Sequence, residues 1–438
     1  MLVKNMTFHM CVKNIPKKGD EKTMNKTSTN RGLIVLLAGL GVNLMLGTLY
    51  AWGVIAKALR AEFGWTALQT QIPYMVACAL FAFSMIPGGK SQDRFGPKPV
   101  IMVSAILAGV GLIFSGYLLT LPALIIGFGL IFGMAMGLGY SAPTPAAIKW
   151  FHPTKKGIIS GIVVSGFGLA PVYVAPLTTY LLDNFGIAKT FYFLGAGFLA
   201  GIMILAQLIS NPPAGYKPAE PTDAASKNKP KIVAEDWDWK EMIKTKQFFM
   251  VWTIFAFGTF AGLLVIGQLS AIGIEQAGIG NAFSLTILYA IANAGGRILW
   301  GIISDKIGTK KSMVSMYVIQ VIAFLVMQYL TTPLALMAGI ASVGFTFGGM
   351  LTVFPSITAG YYGMKNFGMN YGLVITAWGI GGVFGPLVGG IVRDVTGTYT
   401  VSYLISAALS VLGVIISMKL AAPDAKPASI ADPTPKIN

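Results

Sequence analysis

The chain has 438 residues, of which 55% are hydrophobic and only 11% charged. A water-soluble domain carries about a quarter charged residues. Here the apolar residues recur in runs of about twenty or more, which excludes a soluble globular protein and predicts a polytopic helical membrane protein. A formal net charge of +16 would suit a nucleic-acid binder, but its placement argues for topology. All but five of the 32 Lys and Arg fall in the two ends of the chain or in alternate connections. Lys57, Arg60, Lys189 and Arg393 fall on the opposite side, and Arg297 lies within a span. That alternation places both termini in the cytoplasm of a cell (inner or plasma) membrane, with no nucleic-acid partner.

In chain order, residues 1–31 are polar and basic without an apolar core, which predicts a cytoplasmic tail rather than a signal peptide. Met24 opens Met-Asn-Lys-Thr and is an alternative start. Spans are predicted at 33–59, 70–89, 98–120, 122–148, 157–183 and 189–209. A Pro-, Lys- and Asp-rich stretch at 211–246 predicts a flexible cytoplasmic linker, with Trp237-Asp-Trp239 opening an interfacial helix. A second set of spans is predicted at 247–273, 283–303, 311–330, 332–361, 368–393 and 399–420, followed by a tail at 421–438. The fold expected is an all-α membrane protein of twelve helices in two pseudo-symmetric six-helix bundles, 32–210 and 247–420. Cys11 and Cys78 fit no disulfide framework, His9 and His152 no metal site, and no cofactor is expected.

The halves repeat each other. Gly89-Lys-Ser-Gln-Asp93-Arg94-Phe-Gly96-Pro-Lys98 recurs as Gly301-Ile-Ile-Ser-Asp305-Lys306-Ile-Gly308-Thr-Lys310 after the second span of each half. Gly161, Ser165-Gly-Phe167-Gly168, Gly133 and Gly137 align with Gly372, Thr376-Ala-Trp378-Gly379, Gly344 and Gly348, all at an offset of 211. Parallel six-helix repeats put a substrate site between the halves, near the midplane. The Asp of each loop can cap a neighbouring helix N-terminus and pair with Arg or Lys, holding a gate closed.

One stretch within the eighth span stands apart. Tyr289, Asn293 and Arg297 are spaced four apart and form one polar stripe on a helix. A cation in hydrocarbon usually faces a cavity or a partner. The alternative is that Arg297 snorkels to the cytoplasmic face, which explains neither Asn293 nor Tyr289.

The doubled loop motif, twelve spans and central linker resemble the major facilitator superfamily over essentially the whole chain. Three stretches narrow the resemblance: Gly47-Thr-Leu-Tyr50-Ala-Trp52, Asn293-x-x-x-Arg297, and Asn370-Tyr371-Gly372 with Thr376-Ala377-Trp378-Gly379. They look like the oxalate:formate antiporter family, and related monocarboxylate transporters carry an eighth-helix Arg, commonly with an Asp one turn before it. The family's oxalate carrier grips a dianion with an eighth-helix Arg and an eleventh-helix Lys. Trp378 stands here at the position matching that Lys, so this sequence departs from the oxalate pattern, and Lys365 lies in a connection.

One cavity cation prefers one carboxylate, which Arg holds through two parallel hydrogen bonds. A second carboxylate would be dehydrated without a partner. The substrate expected is a small monocarboxylate such as lactate, formate, acetate or glycolate. Tyr50, Tyr140, Phe347 and Trp378, on spans the superfamily uses to line its cavity, are the expected further contacts with Asn293 and Tyr289. For each aromatic the plainer alternative is ordinary helix packing. No Asp or Glu falls in a span core, which favours anion exchange over proton symport, with protons as a further partner if symport applies. An oxalate-type exchanger is the alternative carrier, and a monomer in the bilayer is expected. A non-transporting membrane sensor would need an appended signalling domain, for which 211–246 is too short. No nucleophile–base pair suggests an enzyme.

Overall fold

A computed structural model of the chain describes residues 18–213, 215, 216, 218, 235–279 and 282–424. Most of the expected linker and much of both expected tails lie outside these residues. Among the described residues the regular elements are helical, and 11 helices are long and apolar enough to cross a membrane. The difference from the twelve expected spans has one cause. Pro153–Leu208 runs 56 residues, more than twice the length a bilayer needs. It is broken at Gly186, whose φ of 75° and ψ of 176° are not helical. That single residue is the turn between the fifth and sixth spans, so two six-helix halves result, and the chain is a multi-pass membrane protein.

The remaining spans are, in order, Asn30–Phe63, Gln69–Phe95, Pro97–Leu118 and Leu121–Ile148, then Lys246–Leu269, Ser284–Ile307, Thr309–Met327, Pro333–Tyr362, Phe367–Arg393 and Thr400–Lys419. The helix of the first span begins at Lys18, within the stretch expected to be a tail. Thr66 opens the second span with a capping box that Gln69 completes. Asp238 and Glu241 do the same for the one-turn helix Trp239–Met242, close to the interfacial helix expected there. On the third span Val103, Ile106 and Val110 are about half exposed and recur at helical spacing, forming a face for lipid.

The motif glycines Gly96 and Gly308 have φ of 84° and 90°, a region costly for any residue with a Cβ. They turn the chain from the second span into the third and from the eighth into the ninth. Between the halves, the second span packs on the eleventh and the eighth on the fifth. Small residues let these backbones touch. A Cβ at Gly368 would sit 2.5 Å from the Gly89 carbonyl oxygen, and one at Gly301 2.5 Å from that of Gly157.

Candidate functional site

The polar stripe of the eighth span points inward. Tyr289, Asn293 and Arg297 are 2%, 1% and 0% exposed, so Arg297 does not snorkel. It lies against the fifth span, where Gly168 makes room: a Cβ there would be 2.6 Å from Asn293 Oδ1 and 3.1 Å from Arg297 Nε. Arg297 Nε donates to Asn293 Oδ1 at 2.9 Å, and Nη1 donates across the interface to the Val164 carbonyl oxygen. Asn293 Nδ2 donates to the Gly344 carbonyl at 3.4 Å. Every partner is neutral, and Nη2 has no hydrogen-bond partner.

Beside Arg297 is a hollow of about 10 Å³, room for roughly one water molecule. Arg297, Tyr50, Tyr140 and Trp378 line it, joined by Phe81, Phe167, Leu351 and Ile375. Phe81 packs on Trp378 with centroids 4.8 Å apart, and Phe167 meets Tyr140 edge to face at 5.5 Å. The Tyr140 hydroxyl and the Trp378 indole N–H are buried without partners. The groups left unpaired here with Arg297 Nη2 can all donate, and buried donors are rarely left so.

A second hollow of about 10 Å³ is lined by Tyr50, Tyr289, Asn293, Thr286 and apolar residues of both halves. Tyr50 belongs to both hollows. Tyr289 spends its hydroxyl on the Gly262 carbonyl at 2.9 Å. Phe347 is fully buried with its ring against Gly262 and lines neither hollow. The structure therefore gathers Arg297, Tyr50, Tyr140 and Trp378, sets Asn293 and Tyr289 beside them, and leaves Phe347 apart. At the offset of 211 the repeat partner of Tyr140 is Leu351, one helical turn beyond Phe347, and it is Leu351 that reaches the hollow. Phe167, absent from the expected contacts, is the partner of Trp378 at the same offset. The internal repeat carried the signal for both.

The two loop aspartates act reciprocally. Asp93, ending the second span, accepts from the backbone N–H of Gly368 at 3.3 Å and Met369 at 3.0 Å, at the start of the eleventh. Asp305, ending the eighth, accepts from Gly157 and Ile158, each at 3.0 Å, at the start of the fifth. Each carboxylate thus caps a helix of the other half and meets its positive end. Arg94 lies over the Phe95 ring, 5.0 Å from its centroid. Burial lowers the pKa of Lys149, and the nearby Asp93 carboxylate opposes that shift. Lys365 is exposed on the connection before the eleventh span, remote from a role as second cation. Among the described residues no group of His, Cys, Asp or Glu could hold a metal.

Comparison with known proteins follows the same lines. The chain is 30% identical over 353 residues to an uncharacterized MFS-type transporter, YhjX, of Escherichia coli (strain K12), covering 80% of this chain and 85% of that one. It is 27% identical over 384 residues to the oxalate:formate antiporter of Oxalobacter formigenes, covering 87% and 89%. The structure of the proton:xylose symporter XylE superposes with a TM-score of 0.68 at 13% identity, covering 90% of this chain and 96% of that one, a likeness of fold. The sequence profile of the Major Facilitator Superfamily matches residues 33–286 and 260–437, and the chain belongs to that family.

Proposed function

We propose that the chain is a secondary carrier of small monocarboxylates such as lactate, formate, acetate or glycolate, working by alternating access. The observation that carries this reading is the unpaired Nη2 of a fully buried Arg297, a residue that lines a small hollow with two further unpaired donors, Tyr140 and Trp378. A desolvated guanidinium attracts an anion strongly and holds a carboxylate in a fixed orientation. Tyr140 and Trp378 add neutral donors, and the surrounding rings limit the size of the ligand. The similarity to an oxalate:formate antiporter supports a carboxylate substrate.

A dicarboxylate is disfavoured because, among the described residues, Arg297 is the one cation lining the hollow, where Trp378 also stands. Residues 32–210 and 247–420 are the two moving bundles, with 211–246 joining them on the cytoplasmic side. Gly89, Asp93, Gly96, Gly301, Asp305 and Gly308 form the cytoplasmic gate, flanked by Arg94 and Lys306. It works as a monomer in the cell membrane.

Exchange of one anion for another is the favoured coupling. Arg297 has no ionisable partner on its own helix, since Asn293 occupies the position one turn before it. An empty site leaves that charge uncompensated and slows reorientation. Counterflow of labelled lactate in proteoliposomes tests the assignment: lactate exchange is expected, with oxalate a weak competitor. Oxalate binding as tightly as lactate would defeat the monocarboxylate reading. Fast net lactate uptake without an internal anion, driven by an inward pH gradient, would replace exchange with proton symport.

A further inference from the structure

The segment just before the seventh span docks on the connection between the tenth and the eleventh. Asp236 accepts from the backbone N–H of Met364 at 3.0 Å and of Lys365 at 2.9 Å. Gly363, at a φ of 79°, leaves room for it, because a Cβ there would strike Asp236 Oδ1. Trp237 is buried and meets the Tyr362 ring edge to face, with centroids 6.0 Å apart. Its N–H donates to the Tyr362 carbonyl at 3.0 Å. Its carbonyl accepts from Asn366 Nδ2 and Asn370 Nδ2, each at 3.0 Å. Between those two asparagines lie Gly368 and Met369, the N–H groups that Asp93 holds from the other half.

One short stretch is thus gripped from two directions. A carboxylate caps a helix only where N–H groups converge on it, and a connection already ordered pays no fresh entropy when Asp93 arrives. The other end of the linker repeats the pattern. Trp150 Nε1 donates to the Ser210 carbonyl at 2.8 Å, and the Tyr216 hydroxyl donates to the Trp150 carbonyl at 3.1 Å. Trp150 lies in the connection leading to Gly157 and Ile158, which Asp305 caps. We propose that Asp236, anchored by Trp237, is a positioning residue that holds the start of the eleventh span where Asp93 can cap it. The proposal rests on the reading of the two loop aspartates as a gate and makes the docked linker a part of that gate.

A cysteine at Met85 reports on this interface. Met85 is 1% exposed, and a Cβ at Gly372 would lie 2.7 Å from its carbonyl oxygen. In the full chain carrying Cys11→Ser and Cys78→Ala, its rate of reaction with a water-soluble thiol reagent measures how often the aspartate-capped end opens. Asp236 is exposed, so its replacement leaves the packed interior intact. Asp236→Ala is expected to raise the rate several-fold, and Asp236→Asn, which keeps an accepting oxygen, by less. Asp93→Ala is expected to raise it too. Added to Asp93→Ala, Asp236→Ala should change the rate by less than about twofold, since the contact it positions is already gone. An Asp236→Ala rate equal to the parent's overturns the proposal while the gate stands. So does an equal fold-change with and without Asp93, which marks a local structural role. If Asp93→Ala itself reacts as the parent does, the gate reading falls and this proposal falls with it.

Discussion

Arg297 and Asn293, one helical turn apart, are joined by an Nε–Oδ1 hydrogen bond of 2.9 Å that orients the guanidinium through a neutral partner. The bond to the Val164 carbonyl does the same from the other half. The cation is thereby positioned and oriented, and its Nη2 is left without a hydrogen-bond partner.

Replacing the planar fork by a point charge should expose this dependence. Arg297→Lys is expected to retain the fold, because a cation remains, yet to lose transport by about 100-fold through loss of bidentate geometry. Lactate exchange in proteoliposomes, normalised to the amount of monodisperse protein, gives the measure.

Asn293→Asp puts an ionisable partner where a neutral one stands. When ionised, the new carboxylate would occupy the charge of Arg297 and compete with the substrate; when protonated, it would not. Anion binding in the variant is therefore expected to strengthen as pH falls, whereas the wild type should vary little over the same range. Lactate affinity measured across pH for both proteins distinguishes them, and a flat profile in the variant contradicts the argument.

Trp378→Lys introduces a second cation at the hollow opposite Arg297. Oxalate should then bind more tightly than in the wild type, by about tenfold or more, since its second carboxylate gains a partner. Competition by oxalate against labelled lactate reads this directly.

Asp305→Asn removes a charge from the positive end of the fifth span while leaving an oxygen that can accept. The charge–dipole contribution is about 0.3–1 kcal/mol, up to about 2 when partly buried. The aspartate-capped end should open several-fold more often as a result. A cysteine placed at Ser304, buried 5% exposed at this interface, is expected to react several-fold faster with a water-soluble thiol reagent in the variant than in the parent.

Much of this was legible in the residues themselves. Span positions follow from apolar runs, and the doubled Gly–Asp motif located both caps because each needs a carboxylate and a glycine at fixed spacing. Gly96 and Gly308 could be read as motif members, but only the backbone shows why they are glycine: both lie at positive φ. Arg297 stood out as a cation with no loop to occupy. What composition could not supply was rotation about each helix axis. An error of one turn separates Phe347, buried against Gly262, from Leu351 at the hollow. Phe81 escaped notice because apolar aromatics in a membrane span look alike whether they face lipid, a neighbouring helix or a ligand. The bond from Arg297 to Val164 was also hidden, since a backbone carbonyl leaves no mark in a side-chain pattern.

The crossed grips of Asp93 and Asp305 have a mechanical consequence. Each half both supplies a carboxylate and surrenders a helix end to the other, so parting the halves at this end breaks both attachments. Loss of one attachment permits only a lopsided tilt about the other; parting requires both to let go in the same movement. Damage to the pair should therefore exceed either single loss.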